Sequence, residues 1–404
     1  MDRRIIFFKK MKKNKDSDII EECYQKSIEL LLKNSKEFGI LASSKSNRAT
    51  KRNYLSIFGR DASICSLGMI ASGNKELIKT AKNSIMTLAK FQADNGQMPN
   101  YVKPERNEVD FWYMGCIDST LWWLIVVKFY NKYSGDKKLI KILDKNIKKA
   151  IFWLNCQEHP NDGLLTQNEA SDWADIMPRS GKVLYSNALW CEVKKIYKII
   201  DYKKTVFNFN SLFNPFSKNK DNNLPRRNNS LINFIKKYQK KVNYYLSFVN
   251  YRFWGKDVDV YANSLAMIFG LSENINSQKI IKDFFSFKKI KELPMPVLFN
   301  PIKENSKLWR EYMGVHKQNY PNQYHNGGVW PFTSCFWAMA LAEYNKEEAL
   351  SELVKIAELN KKKNWQFNEW FHAKTGKPMG MKGQSWNAGA FLLAYYYIKG
   401  DIKF

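Results

Sequence analysis

The densest group of chemistry-bearing side chains in this chain lies around one turn. Within fourteen residues fall three carboxylates, a tryptophan, an arginine and a lysine: Glu169, Asp172, Trp173, Asp175, Arg179 and Lys182. Neighbouring charges and an aromatic ring can move the pKa of one acid away from those of the others, which acid–base chemistry requires. A merely solvated turn would not need a tryptophan between its charges. The segment therefore predicts a reactive carboxylate.

A second isolated carboxylate, Glu369, lies between Asn368 and Trp370. A polar turn follows it, and then Gln384 and Trp386. The alternative interpretation is a surface glutamate ahead of a turn. Two carboxylates on separate loops, with tryptophans that can stack against sugar rings, are the groups that glycoside hydrolysis requires.

Two further motifs pair an acid with a neighbour that could bind hydroxyl groups. Arg60 and Asp61 come just before an amphipathic segment, where they could form a hydrogen-bonding corner or a helix N-cap. Asp118 precedes Trp122 and Trp123, which could bind a sugar or could belong to an aromatic core face.

A third motif runs from Tyr324 to Pro331 and contains His325, Asn326 and Trp330. Its two glycines permit a close approach of the backbone, and the other side chains are types that often contact ligands. With only four histidines in the chain, we expect no metal site and no cofactor.

The charge of the chain is strongly basic, with 65 Lys and Arg against 38 Asp and Glu, a formal net charge of +27. A basic patch would suit nucleic acid. The lysines are spread along nearly the whole chain, however, and no nucleic-acid-binding motif accompanies them. We therefore expect a solvated basic exterior and no nucleic-acid partner.

Several features predict a cytoplasmic protein without a membrane partner. The longest apolar run, 121–127, is far shorter than the roughly 18–20 residues that span a bilayer. Only four apolar residues follow Arg3 and Arg4, which is too few for a secretory signal. The six cysteines are scattered without a metal or disulfide pattern, so we expect reduced thiols.

The elements that carry these motifs have a helical period. In Glu76 to Phe91, apolar residues recur at spacings of three and four, and the same holds for about twelve segments along the chain. Long helices that alternate with loops carrying the motif residues predict helical hairpins arranged in a ring. We expect a basic tail over 1–17, one catalytic domain over 18–404, and an Asn- and Lys-rich insertion or mobile arm over 202–241.

Six motif blocks together resemble those of the six-hairpin glycosidases. In chain order they are FGRD, GQMPN, IDSTLWW, SDWADIMPRSGK, YHNGGVWP and NEWFHAKTGK with GQSWNAGAFL. The last two look like the alkaline/neutral invertases, which cleave sucrose. The first, second and fourth look more like the amylo-α-1,6-glucosidase domain of glycogen-debranching enzymes. The resemblance covers about 58–397 and implies an all-α (α/α)6 barrel.

The resemblance also implies roles for individual residues. The general acid falls on Asp175, with Asp172 as the alternative, and the general base falls on Glu369. These barrels usually invert configuration. A substrate-binding role is implied or suggested for the remaining candidates: Arg60, Asp61, Asp118, Trp122, Asp172, Trp173, Arg179, Lys182, His325, Asn326, Trp330, Gln384 and Trp386.

The substrate class stays open at this stage. Sucrose is the first expectation, and a short glucan cleaved at α-1,6 bonds or a charged glucoside such as glucosylglycerate are the alternatives. The invertases carry a doubled arginine after the acid, where this chain has Ile176, Met177, Pro178 and Arg179. A different class, a sugar- or nucleic-acid-binding protein on an inactive barrel, would lack an intact acid and base in its pocket. The invertases also suggest a homo-oligomer.

Overall fold

The computed structural model describes residues 15–113, 115–217, 224–251 and 253–404. The predicted basic tail therefore lies outside the described residues up to position 14, and its last three residues belong to the first helix.

The described residues contain fifteen α-helices and fourteen very short strands. The helices are α1 Lys15–Asn34, α2 Asn47–Lys51, α3 Gly59–Ala71, α4 Lys75–Lys90, α5 Ile117–Tyr133, α6 Leu139–Ile142, α7 Asp144–Gln157, α8 Leu184–Ile196, α9 Tyr202–Phe213, α10 Arg226–Tyr238, α11 Val260–Ile268, α12 Asn274–Phe287, α13 Pro331–Ala342, α14 Lys346–Trp365 and α15 Ser385–Lys399. The strands are β1 Ser35–Lys36, β2 Gly39–Ile40, β3 Ile57–Phe58, β4 Tyr101–Lys103, β5 Glu108–Asp110, β6 Glu158–His159, β7 Leu164–Leu165, β8 Lys182–Val183, β9 Phe248–Asn250, β10 Phe253–Trp254, β11 Val258–Asp259, β12 Leu298–Phe299, β13 Trp370–Phe371 and β14 Pro378–Met379. Two 3-10 turns lie at Pro104–Arg106 and Glu311–Met313.

Six helices form a closed inner ring, and this confirms the predicted barrel. Helices α3, α5, α8, α11, α13 and α15 pack in that order, and α15 returns to pack against α3. Each is preceded in the chain by an outer helix, in the order α1, α4, α7, α9, α12 and α14.

The sequence of each ring follows from its surroundings. Inner helices are surrounded by protein, so they are apolar on every side, and in α15 every residue from Ser385 to Ile398 is buried. Outer helices have one buried face, and in α4 this face contains Leu77, Ala81, Ile85 and Leu88. The period of three and four therefore identified the outer helices best.

The segment 202–241, expected as an insertion or mobile arm, forms α9 and α10 in its described parts. Helix α9 packs on α8 and occupies the position of the fourth outer helix. Its Phe209, Leu212 and Phe213 are fully buried, and Phe209 contacts Tyr245 with ring centroids 5.5 Å apart. The abundant Asn and Lys obscured this apolar face in the sequence.

The strands form small antiparallel sheets, and three strands lead directly into inner helices. Strands β3, β8 and β11 end where α3, α8 and α11 begin. Because each strand has only two or three residues, the alternation of apolar and polar residues that marks a strand cannot develop. No helix among the described residues is long and apolar enough to cross a bilayer. All six cysteines are free thiols, and Cys156 alone is exposed.

The ring closes through two glycines that let α3 and α15 approach closely. A Cβ atom on Gly68 would lie 1.9 Å from the carbonyl oxygen of Gly389, and one on Gly389 would lie 2.6 Å from the Cα atom of Cys65. Both obstacles are backbone atoms, which cannot move aside without separating the helices.

We expect Gly68→Ala to lower the free energy of unfolding by about 3 kcal/mol, because the added methyl group overpacks a backbone contact. Gly314→Ala is the matched control, since its new Cβ would meet nothing closer than 3.5 Å. Urea unfolding followed by circular dichroism measures both. A midpoint for Gly68→Ala equal to that of the wild type would contradict this account of barrel closure.

Candidate active site

A cavity of about 320 Å³ opens at the end of the barrel where the inner helices begin. Several of its side chains lie within the first residues of these helices or directly before them, as Arg60 does at α3 and Trp386 at α15. Nine predicted site residues line it together: Arg60, Asp61, Asp172, Trp173, Asp175, His325, Trp330, Glu369 and Trp386.

Asp175 faces this cavity with 40% of its side chain accessible. The space it meets is a narrow cavity with protein walls, so its charged form is poorly solvated. This loss of solvation raises the pKa of Asp175 to about 7, the Arg60 charge opposes the rise, and the Glu369 charge adds to it. The carboxyl group is therefore protonated in mildly acidic solution and can serve as an acid.

Glu369 lies in the same cavity but is only 5% exposed. The Tyr54 hydroxyl donates to its Oε1 at 2.6 Å, and the Met381 amide donates to its Oε2 at 2.8 Å. Burial raises the pKa of Glu369, and these two hydrogen bonds oppose the rise. Gly380, with φ of +73°, allows this arrangement, because a Cβ there would lie 2.4 Å from Oε2.

Arg60 holds two acids at the edge of the cavity. Its Nη1 lies 3.3 Å from Asp118 Oδ2, and its Nε lies 3.4 Å from Asp61 Oδ2. Burial raises the pKa of Asp61 to about 6, against the opposing effect of Arg60. The residue at the N-cap of α3 is Phe58, so Asp61 does not have the capping role considered above.

Four aromatic side chains form the inner wall. The rings of His325 and Trp330 stack with centroids 5.2 Å apart, and Trp173 meets Trp330 edge-on at 5.7 Å. Trp386 meets Trp330 edge-on as well, at 5.7 Å. His325 Nδ1 lies 3.7 Å from Asp175 Oδ1, and burial lowers the pKa of His325, so its imidazole is neutral. This wall offers ring faces and edges to a sugar.

Arg179 lies behind the wall, where it bridges two acids. It donates to Asp172 and to Asp259, each at 2.5 Å, and its side chain is 5% exposed. Asp172 also accepts from the side chain of Gln167 and from the Ala174 amide, both at 2.9 Å. Since these bonds engage Asp172, its carboxylate is better suited to hold the loop than to act as the alternative acid.

Besides Arg179, five predicted site residues do not line the cavity, and we revise their roles accordingly. Asp118 is fully buried behind Arg60 and accepts from the Tyr185 hydroxyl at 2.9 Å. The remaining four lie in the core or stabilise the loops. Trp122 donates to Tyr185, and Lys182 pairs with Asp162. Asn326 hydrogen-bonds the backbone of Ile302, and Gln384 is fully buried at the N-cap of α15. The sequence could not distinguish these residues from those that line the cavity, because both groups consist of residue types that often contact ligands.

The cavity also contains residues that the sequence did not single out. One group follows from strand pairing, because the register of β3, β4 and β5 sets Phe58 beside Tyr101 and Tyr101 beside Asp110. The others come from the loops around them: Arg52, Asn53, Tyr54, Asn100, Trp112, Cys116 and Tyr324. Asn100 belongs to the GQMPN block and Tyr324 to the YHNGGVWP block, so the sequence could have indicated these two residues as part of the site.

Comparisons with known proteins agree with the barrel fold. A family model described as alkaline and neutral invertase matches residues 21–155 and 162–400. Alkaline/neutral invertase C, mitochondrial, of Arabidopsis thaliana is 21% identical over 78% of this chain and 53% of its own length. Neutral/alkaline invertase 3, chloroplastic, of Oryza sativa subsp. japonica is 21% identical over 88% of this chain and 69% of its own length. The chain thus spans about half to two thirds of these relatives.

Among solved structures, a GH63 mannosylglycerate hydrolase from Thermus thermophilus, in complex with glucose, has a similar fold. The TM-score is 0.65 at 13% sequence identity, over 91% of this chain and 98% of that one. At this identity the likeness concerns the fold, and it is that of the six-hairpin barrel.

We expect Arg179→Met to lower the free energy of unfolding by about 3–5 kcal/mol at neutral pH, because two buried carboxylates lose their cation. The loss should shrink as the pH falls. Burial already raises the pKa of Asp259 to about 6, and without the arginine it rises further, so protonation on acidification removes the unpaired charge.

Lys82→Met is the control for this substitution. Its ion pair with Asp136 is at the surface, with 40% of the lysine side chain exposed, so the change should cost less than about 1 kcal/mol. Urea unfolding between pH 4.5 and 7.5 measures both variants. An Arg179→Met loss that does not vary over this range would refute the electrostatic explanation.

Proposed function

Because the chain belongs to the alkaline and neutral invertase family, we propose that it hydrolyses the glycosidic bond of a small α-glucoside, with sucrose as the first candidate. It is a glycoside hydrolase. The observation that carries the proposal is the presence of two carboxyl groups, Asp175 and Glu369, with raised pKa values in one aromatic-lined cavity.

In this proposal, Asp175 donates a proton to the glycosidic oxygen as the bond to the leaving group breaks. A pKa of about 7 suits this role, because the group is protonated at near-neutral pH and still acidic enough to release its proton. The neutral His325 beside it adds no second charge at the reacting oxygen.

Glu369 takes a proton from the water that attacks the anomeric carbon from the opposite face. The Tyr54 hydroxyl and the Met381 amide hold the carboxylate in place and favour its ionised form. Such a single displacement inverts the configuration, and the carboxyl groups of inverting enzymes lie about 6.5–9.5 Å apart, which leaves room for the water.

The size of the cavity favours a small substrate. At about 320 Å³ it lies at the lower end of the range for ligand sites, so a disaccharide suits it better than an extended glucan. Arg52, an exposed cation that lines the same cavity, supports an anionic glucoside such as glucosylglycerate as the second candidate. A sugar-binding protein without activity is disfavoured, because both carboxyl groups are present.

Glucose release from sucrose, trehalose, isomaltose and glucosylglycerate tests the proposal. We expect Asp175→Asn to lower kcat on the preferred substrate by about 10²–10⁴-fold, the usual contribution of a general acid. On α-glucosyl fluoride, whose leaving group needs no proton, the same variant should lose far less. Glu369→Gln should lose activity on both, because the attacking water still needs its base.

Asp94→Asn is the control for these two variants, since it makes the same chemical change at an exposed position outside the cavity. Release of glucose by both Asp175→Asn and Glu369→Gln at the wild-type rate would refute the assigned site. Hydrolysis of none of the glucosides by the wild type would refute the function.

The dependence of kcat/KM on pH should be bell-shaped. The alkaline limb should lie near the pKa of Asp175, about 7, and the acid limb should report Glu369. Tyr54→Phe removes a hydrogen bond that lowers the pKa of Glu369, so this pKa rises and the acid limb moves to higher pH. The alkaline limb should stay in place, and movement of both limbs together would contradict this assignment.

A further inference from the structure

Trp112 combines an exposed ring at the cavity with an unusual backbone conformation. It lines the cavity and is 39% exposed, and its backbone has a left-handed φ of +61°. Bulky residues rarely adopt this conformation, and where one persists the surroundings must maintain it. The neighbouring Tyr113 is 94% exposed, so neither aromatic residue of this turn is buried in the core.

Two hydrogen bonds maintain the conformation of Trp112. Its backbone amide donates to Asp110 Oδ2 at 3.0 Å, and this same oxygen accepts from the Asn100 side chain at 2.9 Å. Its indole N–H donates to the carbonyl oxygen of Ala170 at 2.8 Å. The ring is thereby held in one orientation although much of it is exposed.

The bond to Ala170 places Trp112 on the acid side of the cavity. Ala170 belongs to the same turn as Asp175, five residues before it in the chain. The general acid of a glycosidase is on the side of the leaving group, because it protonates the oxygen that leaves with that group. Glu369, by contrast, is held by Tyr54 and Met381.

The depth of the tryptophans separates two regions of the cavity. Trp173, Trp330 and Trp386 are at most 5% exposed and form the inner wall, which suits a glucosyl ring. Trp112 is accessible at the mouth. We propose that Trp112 is the platform against which the leaving group of the substrate stacks, and that it thereby determines which glucosides are cleaved. This inference rests on the function proposed above.

The test compares substrates with and without a leaving sugar. For Trp112→Ala, the ratio of kcat/KM on the preferred disaccharide to that on α-glucosyl fluoride should fall about 10- to 100-fold, the range expected when one stacking partner is lost. Trp112→Phe keeps a ring but loses the bond to Ala170, and it should retain most of the ratio. Tyr113→Ala is the matched control and should leave the ratio unchanged.

Equal losses of Trp112→Ala on both substrates would overturn the proposal, because they would indicate a structural effect on the acid-bearing turn. Loss of the ratio in Trp112→Phe as large as in Trp112→Ala would overturn it too, since the bond to Ala170 would then be the cause.

A binding measurement keeps this inference separate from the proposed function. In the Asp175→Asn background, calorimetry should show tighter binding of sucrose than of glucose, and adding Trp112→Ala should remove this difference in affinity. This result would support the platform even if the wild type hydrolysed no glucoside. An unchanged difference, or no difference in the Asp175→Asn protein itself, would overturn it.

Discussion

The close contact between α3 and α15 at Gly68 and Gly389 determines the geometry of the whole active end. These helices are the first and last of the inner ring, more than three hundred residues apart in the chain. Their contact brings the segment before α3 to the segment before α15. The hydrogen bond from Tyr54 to Glu369 joins these two segments, so the closed barrel orients the carboxyl group that we propose as the base.

Within that closed ring, as far as the structure describes the chain, the two proposed catalytic acids differ from four other buried acids in having no arginine partner. Asp118 and Asp61 contact Arg60, while Asp172 and Asp259 contact Arg179. Among the described residues, neither Asp175 nor Glu369 forms such an ion pair with an arginine. Loss of solvation raises the pKa of both carboxyl groups, although the Arg60 charge opposes the rise at Asp175. The two arginines thus stabilise the framework, while Asp175 and Glu369 have no arginine partner in the described parts of the chain, as their proposed roles require.

The limits of the sequence follow from the same physics. Helical period predicted helical hairpins in a ring, and the resemblance of the motif blocks to the six-hairpin glycosidases implied the (α/α)6 barrel and a shared site for Asp175 and Glu369. The separation of Arg179, Trp122 and Gln384 from the cavity wall depends on which face of each loop or helix is turned toward the cavity, and residue type does not encode that. Tyr101 and Asp110 became visible only through the register of three-residue strands. The role of 202–241 was hidden because its few apolar residues are diluted by Asn and Lys.

Trp112 shows why the part of the site that determines specificity is hardest to predict. Several residues of the inner wall, such as Trp386, lie at the starts of buried helices, where packing limits what can replace them, and they belong to the motif blocks. Trp112 lies on a short turn that is joined to the acid-bearing loop by one indole hydrogen bond. The residues of such a turn can be substituted without disturbing the inner ring of helices, because the contacts that close the barrel lie elsewhere. The surplus of +27 charges likewise does not describe the cavity, since most lysines are on the exterior and carboxylates outnumber cations among the residues that line it.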